Sequence, residues 1–258
     1  MPTVRMRFGL WASLVLCLSF LLVACGGDGT RTAIATPSDP LAYLQQVIDN
    51  LRQTRSFKML IEQRGVPYAF SVTLDQGTTF VNATMQRAEA QFIPPDSIYG
   101  TVRLALGGLP PVGVEIYAKE TDQWFKLAGS GWINFPIAEG FDPSALIKEG
   151  SGFSVALNQL RELQVLEVTR LESGQVVQHL RGRADGNLLN DLLFELIKVD
   201  NDNVQVDVYI DAQTNLPALL SVVIPETAAN GEADTEWRIE LFDYNAEADF
   251  SAPTKANP

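Results

Sequence analysis

The 258-residue sequence predicts an α+β fold dominated by antiparallel strands. Three observations predict it. Along many short segments after Ser56, apolar residues alternate with polar ones, the pattern of half-buried antiparallel strands. Turn-forming clusters separate these segments at hairpin spacing. Helical periodicity is confined to three stretches, around residues 41–51, 142–160 and 188–197.

The chain begins with Arg5 and Arg7, followed by an apolar run from Leu10 to Leu22 and by Leu22-Val23-Ala24-Cys25. A short basic segment, an apolar stretch too brief to span a bilayer and a small residue before cysteine together read as a bacterial lipoprotein signal. On this reading residues 1–24 are removed and Cys25 carries the lipid. A diacylglycerol thioether on an N-terminal cysteine supplies the two or more chains that stable anchoring requires, so the expected location is the extracytoplasmic face of the bacterial cell membrane.

Residues 1–24 contain two of the 19 basic residues and none of the 31 acidic ones, so the mature chain has 17 bases against 31 acids and a net charge of −14. Such an acidic surface disfavours nucleic acid and electrostatic docking on an anionic bilayer. Cys17 lies in the leader, and with Cys25 lipidated no thiol remains for a disulfide or a zinc site; stability must come from an apolar core.

Residues 25–40 are rich in Gly, Thr, Ser, Asp and Pro and read as a flexible tether. A single domain over residues 41–258 follows, its length suiting one large β-rich unit. Ser38-Asp39-Pro40 signals a helix start, and Leu41, Leu44, Ile48 and Leu51 recur at helical spacing. The clearest strands are Phe70–Leu74, Val112–Ile116 and Val204–Ile210, in which every second residue is apolar. Asp75-Gln76-Gly77, Lys119 to Asp122, Glu172-Ser173-Gly174 and Asp211 to Asn215 mark turns, and roughly ten to eleven strands result. Asp142-Pro143 opens a helical stretch that breaks at Gly150 to Gly152 and resumes through Val155, Leu157 and Leu160. Leu188 to Ile197 reads as a third helix with a wide apolar stripe.

Ten strands about 4.8 Å apart would make a sheet about 48 Å wide, whereas three helices of about 10 Å diameter cover about 30 Å. One apolar face is therefore undercovered. A curled sheet with an apolar cavity and a two-layered sandwich with a solid core both answer this mismatch, and strand patterning is consistent with either.

Several segments in order resemble a known family. The lipoprotein signal, the Trp124 to Trp132 region leading to Phe135-Pro136, Phe141-Asp142-Pro143-Ser144-Ala145-Leu146, the strand Val206 to Asp211 followed by Gln213-Thr214-Asn215-Leu216-Pro217, and Leu241-Phe242-Asp243-Tyr244-Asn245 are similar to the LppX/LprG type of mycobacterial lipoproteins. The resemblance implies a large curved antiparallel sheet, a half-barrel with helices on its concave face, enclosing an apolar cavity for the acyl chains of a lipid or glycolipid. It implies a carrier across the cell envelope with a membrane transporter as a possible partner, and no cofactor. The family has no short binding signature to transfer, so lining residues are inferred from strand and helix faces: Phe70, Val72, Val114, Ile116, Leu157, Leu160, Val206 and Val208. The alternative is a solid-core envelope lipoprotein acting as a scaffold or stress-sensing module.

Catalytic signatures are weak. His179, the only histidine, lies in a strand-like run without a Gly-x-Ser-x-Gly elbow elsewhere to supply a nucleophile. Asp200, Asp202, Asp207 and Asp211 lack the spacing of a cation loop, and Gly107-Gly108-Leu109-Pro110-Pro111 lacks the lysine and helix of a phosphate loop. The sequence therefore predicts a non-enzymatic protein with no metal site.

Overall fold

The alternating segments form one antiparallel sheet of twelve strands. The computed structural model describes residues 36–74, 79–134, 141–195 and 197–253, without the side chains of 72–74, 79 and 80. The expected leader, Cys25 and most of the tether lie outside the described residues, as do Asp75-Gln76-Gly77, Phe135-Pro136 and Leu196. The strands are β1 (Phe57–Arg64), β2 (Ala69–Leu74), β3 (Thr79–Ile93), β4 (Ser97–Leu106), β5 (Val112–Lys119), β6 (Asp122–Leu127), β7 (Ile133–Asn134), β8 (Arg161–Arg170), β9 (Val176–Ala184), β10 (Val204–Asp211), β11 (Pro217–Ile224) and β12 (Thr235–Phe242).

Their spatial order is β7-β6-β5-β4-β3-β1-β12-β11-β10-β9-β8. The chain starts at the centre, meanders out to β7, crosses to the opposite edge at β8 and returns until β12 closes beside β1. The crossing runs over one face of the curved sheet and carries helical turns across it. β1 and β2 share one edge of β3, β1 facing residues 87–92 and β2 facing residues 79–84. The arm of residues 65–68 steps between them.

Helix α1 (Pro40–Arg52) begins where the capping signal places it: the Asp39 carboxylate accepts hydrogen bonds from the Leu41 and Ala42 amides at 3.1 and 3.0 Å. Its buried face is Leu44, Val47, Ile48 and Leu51. Leu41, expected on that face, is half-exposed. The second predicted stretch divides at its glycines into a 3-10 turn (Pro143–Leu146) and helix α2 (Gly152–Asn158). Gly152 has a φ of +50°, and a Cβ there would lie 2.3 Å from the Ala145 carbonyl oxygen, so the break requires glycine.

The third expected helix is absent. Residues 186–189 and 191–193 form two 3-10 turns, and Phe194 and Glu195 adopt left-handed backbone. Side chains that would face solvent on a helix are spent on main-chain donors instead: Asn190 Oδ1 accepts from the Val199 amide at 3.1 Å and Asp191 Oδ2 from the Gly152 amide at 2.8 Å. This competition from main-chain donors elsewhere in the fold favours turns over helix. Leu189, Leu192, Leu193, Phe194 and Ile197 are all buried, so the apolar stripe reaches the core through an irregular path. These turns, α1, α2 and the inner faces of the strands share one hydrophobic cluster.

Candidate ligand-binding trough

Strand alternation sorts the two faces of the sheet by chemistry. On the outer face Arg181, Asp207, Ser221, Arg238, Glu62, Arg87 and Arg103 stand in register across successive strands, with Arg87 paired to Glu62 at 2.6 Å. The inner face is apolar, but its cover is uneven. On β9 to β12 and β1 it is sealed: Leu180, Val204, Val206, Val208, Leu220, Val222, Trp237, Ile239, Met59 and Ile61 are buried under the helical layer.

Beyond β1 the cover continues over Ala83, Met85, Ala88, Ala90 and Phe92 of β3 and Ile98 and Val102 of β4, all buried, but β2 and parts of β4 to β7 are only partly covered. Phe70 stands opposite Ala83, itself opposite Leu106; Leu104 stands opposite Val112, Val114 opposite Leu127, and Ile116 opposite Phe125, itself opposite Ile133. Val112, Leu127 and Ile133 are 44%, 43% and 46% exposed, and Phe70, Leu104, Leu106, Val114, Ile116 and Phe125 are intermediate. These rows make an apolar trough on the concave side of the sheet. Of the sequence-derived lining residues, the structure brings Phe70, Val114 and Ile116 together here. Val72 lies on β2 opposite Val81, its side chain outside the described residues. Leu157, Leu160, Val206 and Val208 sit in the sealed half, the first, third and fourth with no exposed surface.

Sequence reasoning missed Leu104, Val112, Phe125, Leu127 and Ile133. A readable signal was available in the charge distribution. Residues 65–86 contain one charged side chain, Asp75, and residues 104–114 and 127–138 contain none. Such neutral runs mark chain withdrawn from water, either as core, as in residues 150–160 and 212–225, or as apolar surface, as here.

Where the arm of residues 65–68 crosses from β1 to β2, Tyr68 packs edge-on against Trp237, ring centroids 6.3 Å apart, and its hydroxyl donates to the Lys198 carbonyl oxygen at 2.6 Å. Trp237 is fully buried, and among the described residues its indole Nε1 has no hydrogen-bond partner, an uncommon state for a buried donor.

His179 belongs to the outer face. It contacts Asp207 Oδ1 at 2.6 Å and stacks on Tyr209 at 4.3 Å, while Arg181 and Gln205 also donate to Asp207. Burial pushes the Asp207 carboxyl up, but the bonds from His179, Arg181 and Gln205 outweigh it and hold its pKa below the ordinary carboxylate value. Opposite Asp207, the Ser221 hydroxyl is committed to Glu236 at 2.5 Å. The group is a structural ion cluster flanking an outer cleft of about 640 Å³ lined by Arg238, Glu240, Tyr209 and Leu219, among others. Its mixed charge suits polar contacts, not hydrocarbon. Asp211 is occupied by the amides of Gln213 and Thr214 at 2.9 and 2.7 Å, and among the described residues no cluster of three or more ligating side chains is suited to a metal ion.

A wide open sheet, curved around helices on its concave side and leaving apolar surface beside them, is a half-barrel. The chain belongs to the LppX_LprAFG lipoprotein family, whose model matches residues 39–249. Its fold is similar to that of LprF from Mycobacterium bovis, with 13% identity, a TM-score of 0.59 and coverage of 85% of this chain and 99% of that one. The lipoprotein LppX from Mycobacterium tuberculosis is similar at 15% identity and a TM-score of 0.54, covering 82% of this chain and 99% of that one. Among curated protein sequences none matches it.

Proposed function

We propose that this protein is a non-enzymatic carrier, tethered through Cys25 to the extracytoplasmic face of the membrane, that shelters the acyl chains of a lipid or glycolipid against the inner face of its sheet and conveys it through the envelope. The observation that carries this reading is the uneven cover: β2 and parts of β4 to β7 present partly exposed apolar side chains on the same face that is sealed on β9 to β12, β1 and β3. Exposed apolar surface of this extent on a domain usually marks a binding site. Chain burial at about 25 cal/mol per Å² would supply affinity without a polar code, so chain bulk governs selection and the head group stays at the rim. Membership of a lipoprotein family supports the anchored, extracytoplasmic placement.

The test is native mass spectrometry of the protein purified from membranes, read for mass beyond the chain and its own anchor. Co-purifying lipid that is displaced by a long-chain fluorescent fatty acid is expected. A protein that carries no lipid and takes up no long-chain probe would overturn the reading.

A further inference from the structure

The described residues at the β1–β2, β4–β5 and β6–β7 connections lie at one end of the sheet. β4 and β5 are joined by Leu106-Gly107-Gly108-Leu109, in which both glycines have positive φ, +55° and +80°, and the Leu109 amide donates to the Leu106 carbonyl oxygen at 2.9 Å. Positive φ at both positions favours glycine in this tight turn, which holds Leu109, Pro110 and Pro111 at the end of the sheet. Leu109 is 67% exposed, the largest value among the exposed large apolar residues described. Just beyond it β5 begins at Val112, opposite Leu104 of β4, and Val114 stands opposite Leu127 of β6, while the Gly107 amide donates to the Asn82 carbonyl oxygen of β3 at 2.8 Å. The turn is thus continuous with the trough: an apolar path runs from Leu109 through Val112 and Val114 to Ile116 without a charged side chain on that face.

We propose that this corner is a membrane-docking tip, with Leu109 immersed in the interfacial layer of the bilayer whose lipid the trough receives. The inference rests on the carrier reading. The partner is identified by charge: a mature chain of net −14 is repelled by an anionic bilayer over most of its surface, and this corner is where repulsion is absent and apolar side chains protrude. A lipid leaving the bilayer here would pass its chains from hydrocarbon to trough with no charged surface to cross. Electrostatics therefore opposes docking and apolar burial drives it, so added salt should deepen immersion by screening the acidic body. Docking through basic residues would respond in the opposite sense.

The experiment uses the full lipidated chain in anionic vesicles, with a polarity-sensitive fluorophore attached at Leu109→Cys or, as a control at the opposite end of the sheet, at the exposed Ser173→Cys. Lipids carrying a quencher in the acyl chain should quench the probe at position 109, more so with added salt, and leave position 173 unaffected. Leu109→Glu should slow loading of a fluorescent lipid from vesicles about tenfold, the loss expected for one apolar anchor of this size. Equal quenching at both positions, or none at 109, overturns the docking tip; a probe at 109 that is shielded yet unquenched points to a protein partner or a second copy and also overturns it. Bound lipid is measured in the same samples: lipid without quenching at 109 removes the tip and leaves the carrier, and quenching by an empty protein removes the carrier.

Discussion

The Tyr68 hydroxyl donates a 2.6 Å hydrogen bond to the main-chain carbonyl oxygen of Lys198, 130 residues away in sequence. It ties the arm between β1 and β2 to the loop that follows the irregular helical turns, beside the point where the covered half of the sheet meets the open half. Tyr68→Phe keeps the ring against Trp237 and removes the bond. Stability should fall by about 1 kcal/mol or less, because the bond is exposed, while amide exchange over residues 65–69 should rise. Unchanged exchange there would show that the bond does not restrain the arm.

The two halves of the inner face should respond differently to truncation. Leu157→Ala removes a fully buried side chain and is expected to cost about 2–5 kcal/mol in denaturant unfolding. Ile116→Ala, at a partly covered position, should cost less and instead weaken binding of a long-chain lipid probe. Equal destabilisation with unchanged lipid affinity would place Ile116 in ordinary core.

Gly152→Ala combines positive φ with a Cβ only 2.3 Å and 2.4 Å from the carbonyl oxygens of Ala145 and Leu146. Left-handed strain alone costs on the order of 1–3 kcal/mol, and the backbone contact adds to it. Thermal unfolding should show a larger loss than for Gly131→Ala, where nothing lies within 4 Å of a Cβ.

The Asp207 carboxyl has a lowered pKa in the folded protein. A group whose folded pKa lies below its unfolded value contributes stability that is fully present above the unfolded value and lost as pH falls through the folded one. The wild-type protein should therefore weaken in the acid range below about pH 4. Asp207→Asn, which leaves Arg181 and His179 without their carboxylate, should lose about 1–3 kcal/mol at neutral pH and show a flatter acid dependence. Parallel acid-unfolding curves for the two proteins would refute the assignment.

Much of this architecture was legible because it depends on local rules. The Asp39-Pro40 cap, the period-two strands and the turns at residues 119–122 and 211–215 each express a neighbour-to-neighbour preference, and each appears in the sheet or helix where it was expected. The segment 188–197 failed for an equally physical reason. Its leucines satisfy helical periodicity, but Asn190 and Asp191 find main-chain donors at Val199 and Gly152, partners that no window of sequence could bring together.

The candidate site divides along the same line. Alternation along β5 and β10 established which residues share a face, so Val114, Ile116, Val206 and Val208 were all assignable to an apolar face from sequence. Whether that face is sealed depends on what crosses it, and the crossing is set by topology: among the described residues between β7 and β8 the helical elements are one 3-10 turn and the seven residues of α2. Those short elements, with α1 and the turns of residues 186–193, seal β9 to β12, β1 and β3 and leave β2 and parts of β4 to β7 partly bare. Side-chain period is a property of each strand alone and is written in the sequence; cover is a property of distant segments meeting, and only the tertiary structure decides it.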